Sequence, residues 1–404
     1  MEEVECGFRM PDEVPAIITP PEQSPRATSL LVLAGLFLRL GATAFGGPAA
    51  HIALMHQEVV VRRQWLSEER FLDLLGATNL IPGPNSTELA IHIGWERRRW
   101  AGLVVAGAAF ILPAMLITGA LGWVYVRFGS LPSAAWLLYG VKPVILGVVV
   151  QAIGGLAAKA ARTTPLRLLA ALAILLAALG VNELVVLFGA GALAMVHARV
   201  RSQPKASSGN VLQLAPFVLP VAAPVAGAGA SLITLSGVFW VFLKIGSLLF
   251  GSGYVLLAFL RADLVQRLHW LSEPQLLDAI TVGQVTPGPV FTTATFIGYL
   301  LAGPKGALVA TAGIFLPAFV FVALSGPLIP KLRASPLAGA FLDGVNVGSL
   351  ALMAVVTVQL GRAAVTDVPS ALLALVAAAI LVRFKPNPTW LILGGAAAGW
   401  LLHA

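Results

Sequence analysis

Two stretches of the chain hold the residue types best suited to chemistry. In "LIPGPNSTELAIHIGW" (80–95), Asn85, Ser86, Thr87, Glu88 and His92 follow a Pro-Gly-Pro triplet, and in "VTPGPVFTTATFIGYL" (285–300) Thr292 and Thr293 follow the same triplet. Proline lacks the donor N–H and disfavours helix in the residue before it, so each triplet interrupts a helix that then restarts. A restarting helix offers free N–H groups and the positive end of its dipole, which suits an oxyanion. Gly83 and Gly288, the centres of the triplets, let backbone approach a ligand closely. A kink with only a packing role is the competing reading; its recurrence at matched positions in both halves favours a ligand site.

Glu88 and His92 stand four residues apart, on one helical face. A carboxylate there can carry a proton in a coupled step, and a histidine can share it. The second stretch has Thr293 and Ile297 at those positions, so a coupling role would belong to one half. A satisfied structural carboxylate is the plain alternative. Two further glycine-rich turns, "FGGP" (45–48) with Gly46, Gly47 and Pro48 and "FGSG" (250–253) with Gly251 and Ser252, are candidates for close backbone contact. Six residues before each lies a cation, Arg39 or Lys244; an ionisable group at membrane depth is a functional candidate, against the alternative of snorkelling to an interface. Lys142 is matched by Asn346 and so stands outside the repeated design. His51 and His56 fit no metal-binding spacing, and no metal or cofactor is expected.

The elements that must position these residues are membrane elements. Of the 404 residues 58% are hydrophobic and 11% charged, against about a quarter charged in soluble domains. Stretches such as 100–126 exceed the roughly 20 apolar residues that cross a bilayer. The expectation is an all-α polytopic protein, multi-pass in the cell inner (plasma) membrane. The net charge of +8 is explained by basic cytoplasmic loops rather than by nucleic acid. The single cysteine, Cys6, gives no disulfide framework. The acidic start of the chain reads as a disordered tail over 1–29.

The chain repeats itself. "FLRLGATAFGG" (37–47) aligns with "FLKIGSLLFGS" (242–252), and Trp65-Leu66-Ser67-Glu68 with Trp270-Leu271-Ser272-Glu273. Residues 37–92 and 242–297 share 18 identities in 56 ungapped positions. Two homologous transmembrane repeats follow, 30–200 and 233–404, joined by a linker at 201–232. Spans are expected at about 30–50, 100–124 and 133–156, with a short hairpin at 166–181 and 183–198. Ser67 and Ser272 are expected to cap interfacial helices, the latter with Gln275 in a capping box.

The segment 71–93 decides the topology. If it spanned, Arg62, Arg63 and Arg70 would face the side opposite Arg97, Arg98 and Arg99, against the positive-inside rule. If it enters and returns, each repeat has about five crossings plus a re-entrant broken helix carrying Pro-Gly-Pro. An inverted repeat is then expected, and a linker crossing the membrane at 211–235 would argue against it. The less basic loops of the second repeat agree with inversion.

The pattern "FGGPAAHIALMHQEVV…WLSEERFLDLLGATNLIPGPNSTELAIHIGW" resembles the first half of the chromate ion transporter family, and "FGSGYVLLAFLRADLV…VTPGPVFTTATFIGYLLAG" its second half. The resemblance spans about 37–400. It implies chromate, or its tetrahedral analogue sulfate, as substrate, and carries over Gly46, Gly47, Pro48, Pro82, Gly83 and Pro84 as motif positions. The expected function is a secondary transporter exporting chromate, driven by the membrane potential, with proton coupling left open as an addition. A sulfate transporter is the runner-up. A membrane-embedded enzyme would need a catalytic cluster, which the scattered histidines do not supply. No GxxxxGK[ST] points to nucleotide hydrolysis. Self-association into a homodimer is compatible with this reading.

Overall fold

The computed structural model describes residues 28–45, 47–129, 132–202, 233–250, 255–384 and 388–403. The described residues form fourteen α-helices in two matching series. The first runs α1 (Leu30–Thr43), α2 (Gly47–His56) with a π-helical turn Gln57–Arg62, α3 (Glu68–Thr78), α4 (Asn85–Phe128), α5 (Pro132–Ala160), α6 (Thr164–Ala178) and α7 (Glu183–Ser202). The second runs α8 (Leu235–Leu248), α9 (Leu256–Leu260) with a π-helical turn Arg261–Arg267, α10 (Glu273–Val285), α11 (Thr293–Ala334), α12 (Pro336–Ala364), α13 (Val368–Phe384) and α14 (Pro388–His403). Among the described residues, five helices are long and apolar enough to cross a bilayer, within α4, α5, α7, α11 and α12.

α4 is a hairpin rather than a rod. At Arg98 (φ −147°, ψ 26°) and Arg99 (φ 49°, ψ −132°) the backbone leaves helical geometry. The short arm, 85–97, folds back on the long arm, 100–128, with Gly94 against the Gly102 carbonyl, where no Cβ fits. α11 repeats this at Ala302 and Gly303, with Gly298 on Gly306. The Thr295 and Thr311 hydroxyls bond across that second hairpin at 2.7 Å.

One guanidinium shows where the segments begin and end. Arg97 donates to Thr28 Oγ1 at 2.9 and 2.7 Å and to the Trp65 carbonyl at 3.1 Å. The start of α1, the end of the first π turn and the end of the short arm of α4 therefore meet. Arg70, in the first turn of α3, pairs with Glu96 at 2.5 Å, so 68–97 enters and returns at one end. The same reasoning corrects the expected span at 30–50. It breaks after Thr43, and α2 comes back beside α1, burying Met55 and Val59 with Leu33 and Phe37. Fourteen residues of α1 rise only about 21 Å. Each repeat thus opens with two V-shaped hairpins, one formed by α1 and α2 or by α8 and α9 and one tipped by Pro-Gly-Pro. Ser67 and Ser272 cap α3 and α10, and Ser272 with Gln275 forms the expected capping box.

The repeats are inverted. Thr28, Trp65 and Arg97 gather at the start of the long arm of α4. The second repeat's Ile233, Trp270 and Leu300 gather instead around Tyr125, Val126 and Gly129 at its far end, about 43 Å away at 1.5 Å per residue. Gly119 and Gly122 of that arm lie beside Thr295 and Tyr299 in parallel register, so the long arms of α4 and α11 point opposite ways. The described residues that flank 203–232 lie at opposite ends. α7 runs against α12, with Gly191 on Phe341 and Leu187 on Gly348, and Asp343 of α12 bonds Arg162 just past α5. Ser202 therefore ends at the Arg97 end, whereas Ile233 lies at the Gly129 end. Opposed ends at Ser202 and Ile233 are compatible with an inverted repeat because the first apolar stretch turns back rather than crossing; the linker itself, expected at 201–232, lies almost wholly outside the described residues.

Each half clasps the other. Gly140 of α5 packs on Gly395 and Gly399 of α14, and the matching Gly344 of α12 packs on Ala190 of α7.

Candidate functional site

The tips of the hairpins meet between the repeats. The Gly83 N–H donates to the Leu249 carbonyl at 2.7 Å, and the Gly288 N–H donates to the Ala44 carbonyl at 2.9 Å. Ala44 and Leu249 are equivalent positions, as are Gly83 and Gly288, so the two bonds are one contact made twice about a pseudo-two-fold axis. Each Pro-Gly-Pro corner is thereby held on the broken turn of the other half. Gly83 sits at φ +141° and Gly288 at φ +87°, where other residues are strained. Around Gly83 a Cβ would collide with Glu88 Oε1, and around Gly288 with the Gly41 carbonyl and Ala114.

In the first repeat the corner is polar. α4 restarts at Asn85, and the Thr87 and Glu88 N–H groups bond the Pro84 carbonyl at 2.8 and 3.0 Å. The helix leaves the Asn85 and Ser86 N–H groups over, aligned with its dipole. His51 of α2, fully buried, lies 3.0 Å from the Ala44 carbonyl through Nε2 and 3.3 Å from Ser86 Oγ through Nδ1. A carbonyl only accepts, so Nε2 carries the hydrogen and Nδ1 accepts from the Ser86 hydroxyl. His51 thus ties both broken turns of its repeat together and touches the carbonyl that anchors Gly288. The Thr87 hydroxyl, both Glu88 oxygens and His92 Nε2 are buried without a hydrogen-bond partner. Asn85 Oδ1 is in the same position, while its amide donates to Asn79 Oδ1 at 2.8 Å. Buried polar atoms are nearly always paired, so this cluster marks a place built for something other than packing.

The second repeat's corner is spent. Asn85, Ser86 and His51 are matched by Val290, Phe291 and Leu256. Thr292 and Thr293 donate their hydroxyls to the Pro289 and Val290 carbonyls at 2.8 Å. The candidate site is therefore asymmetric, built on the first repeat and closed by the second. Gly47 and Pro48 start α2 beside it; Gly46, Gly251 and Ser252 lie outside the described residues.

Arg39 and Lys244 are engaged elsewhere. Arg39 pairs with Glu58 at 2.7 Å, and the equivalent Lys244 pairs with the equivalent Asp263 at 2.8 Å. Arg62 and Arg63 share Glu58, and Arg267 shares Asp263. Each pair pins a π-helical turn back onto the first helix of its repeat, holding the V closed. His56 bonds Glu68 at 2.6 Å, linking the two hairpins.

A contact not foreseen from the sequence crosses the repeats toward the Gly129 end. Lys142 of α5 pairs with Asp278 of α10 at 2.9 Å, and the Tyr125 hydroxyl donates to Asp278 Oδ2 at 2.7 Å. They line a cleft of about 290 Å³ with Tyr139 and Thr366. The counterpart of Lys142 is Asn346, so this ion pair has no charged twin. The unmatched lysine was the available signal.

A family model described as chromate transporter matches the chain twice, over 31–195 and 236–400. A chromate transport protein of Cupriavidus metallidurans is 37% identical over 89% of this chain and 90% of its own length. A probable chromate transport protein of Synechococcus elongatus is 34% identical over 87% and 89%. A chromate transport protein of Pseudomonas aeruginosa is 33% identical over 94% of each. No solved structure matches the chain. Two matches to one family model, each over an inverted repeat carrying its own pair of broken turns, place this chain in the chromate transporter family.

Proposed function

We propose that the chain exports chromate, a tetrahedral dianion, across the cytoplasmic membrane as a secondary transporter, and that the anion binds at the first-repeat corner. The observation that carries this reading is the doubled bond from Gly83 to Leu249 and from Gly288 to Ala44, which brings four broken helix ends to one point between inverted repeats. Transporters built from inverted repeats bind substrate at that interface, on half-helix N-termini. The binding groups are the Asn85 and Ser86 N–H groups and the Thr87 hydroxyl. Gly47, Pro48, Gly83 and Gly288 shape the backbone, with Thr292 and Thr293 closing the far wall. Gly46, Gly251 and Ser252 stay candidate binding positions on the sequence motifs FGG and FGS alone.

Sidedness follows from charge. Arg62, Arg63, Arg70, Arg97, Arg98 and Arg99 cluster at the Arg97 end, which the positive-inside rule assigns to the cytoplasm. A dianion leaving through about 150 mV, inside negative, gains about 7 kcal/mol at 2.3 kcal/mol per charge per 100 mV. Glu88 adds a coupling element. An ionised carboxylate in the first turn and an incoming dianion compete for the same helix dipole, so a proton on Glu88 favours anion binding. A proton leaving with the dianion halves the electrical gain to about 3.5 kcal/mol, which still favours export.

Purified protein in proteoliposomes, supplied with labelled chromate or sulfate under an imposed potential, tests this. Chromate uptake into inside-out vesicles that rises with a positive interior supports it; failure of either anion to move ends it. Sulfate moving in preference to chromate selects the runner-up, since the corner recognises the shared tetrahedral shape and charge.

A further inference from the structure

Three ionisable residues lie on one face of the short arm of α4. Glu88, His92 and Glu96 recur at four-residue intervals within its regular helix, so they stack one turn apart, with Cβ atoms roughly 6 Å from one another. Glu88 is at the tip, fully buried, with both oxygens unpartnered. His92 comes next, 5% exposed, with Nε2 unpartnered. Glu96 comes last, its side chain 27% exposed and bonded to Arg70. The same face of the second repeat carries Thr293, Ile297 and Leu301, which cannot take up a proton.

We propose that Glu96, His92 and Glu88 form a one-sided proton route, which loads the proposed anion site from the end where Arg97, Thr28 and Trp65 meet. A proton arriving from water at Glu96 passes to one ring nitrogen of His92, the other nitrogen gives up its hydrogen, and Glu88 receives it. No charge is left behind on the ring. The neighbouring elements do not offer a competing route. α1 brings Arg39, tied to Glu58. α2 brings His51, occupied by Ala44 and Ser86. α3 brings Arg70, held by Glu96, and Asp73, a turn further along. The facing stretch of α11, Gly306–Leu328, contains no ionisable residue. Arg70 also steadies Glu96 at the mouth, so the route is gated by one ion pair.

This rests on the transport reading above, and its test separates the two. Full-length protein is reconstituted in one orientation, and labelled chromate flux is measured while pH is varied on each face independently. Wild-type flux should rise several-fold on acidifying the Arg97 face. Glu96→Gln should remove at least two-thirds of that rise while keeping any response to the other face, and His92→Leu should do the same. Infrared difference spectra give a second readout: the carboxyl band lost in Glu88→Gln should exchange with deuterium at least tenfold more slowly in His92→Leu. A full wild-type response and unchanged band exchange in both variants would overturn the route and leave anion transport standing. Absence of chromate and sulfate flux in the wild type would instead remove the transport reading and the route with it.

Discussion

The Glu88 carboxylate occupies the space in which a side chain on Gly83 would begin. The acid and the corner it serves are thus in van der Waals contact, and the glycine is required twice, for its φ of +141° and for its missing Cβ.

Gly83→Ala should therefore lower transport more than tenfold, since the methyl group must displace either Glu88 or the bond to Leu249. Gly35→Ala is the control: nothing lies within 4 Å of that position, and the change should leave flux and thermal midpoint within error. Equal effects of the two changes would refute the argument.

Glu88→Gln keeps the shape of the acid and removes its proton chemistry. Flux in this variant should lose the pH dependence seen in the wild type, with a lower maximal rate. A pH profile superimposable on wild type would exclude Glu88 from coupling.

Asp263 is 5% exposed at its side chain and holds both Lys244 and Arg267. Asp263→Asn leaves those cations undercompensated and should destabilise the protein by about 1–3 kcal/mol, seen as a lower thermal midpoint in detergent. Arg39→Ala, which leaves Glu58 to Arg62 and Arg63 and unties the π-helical turn from α1, should lower stability and transport together. A fully stable but inactive Arg39 variant would put that guanidinium in the anion path instead.

Lys142 and Asp278 join the repeats near the Gly129 end. A double-mutant cycle on Lys142→Met and Asp278→Asn should give a coupling energy of roughly 0.5–3 kcal/mol in thermal stability. Exchanging the charges, Lys142→Asp with Asp278→Lys, should restore stability lost in either single change. Additive effects in the cycle would show the two side chains to be independent.

Much of this architecture is legible in the residues. Pro-Gly-Pro cannot be helical, and the 205-residue offset that carries Pro82 onto Pro287 also identifies the repeat. The cation clusters at Arg62, Arg63 and Arg97–Arg99 correctly place both ends of the second hairpin together. The first hairpin is hidden because 30–50, apart from Arg39, is apolar enough and long enough to span; the tie between Thr28, Arg97 and Trp65 and the packing of Met55 and Val59 on Leu33 and Phe37 show it turning back. The bonds from Gly83 and Gly288 cannot be read locally, since a backbone donor and acceptor carry no side-chain signature. His51 fits no metal-binding spacing, and its replacement by Leu256 in the second copy is the sequence signal of a one-sided role. Arg39 and Lys244 stood out as charges at depth, but their partners Glu58 and Asp263 lie at the same 205-residue offset, and matching acids as well as cations would have paired them.

The traded anchors at Ala44 and Leu249 have a consequence for how such a chain can be assembled. A solitary half would carry one glycine amide seeking a carbonyl and one carbonyl seeking an amide, and only a second half threaded the other way up could complete it. Carrying both halves on a single polypeptide fixes their ratio at one to one and their insertion as opposed. Once that pairing is guaranteed, the halves need not stay alike: one can specialise in chemistry while its twin, relieved of polar duties, becomes the greasy wall that shuts it in.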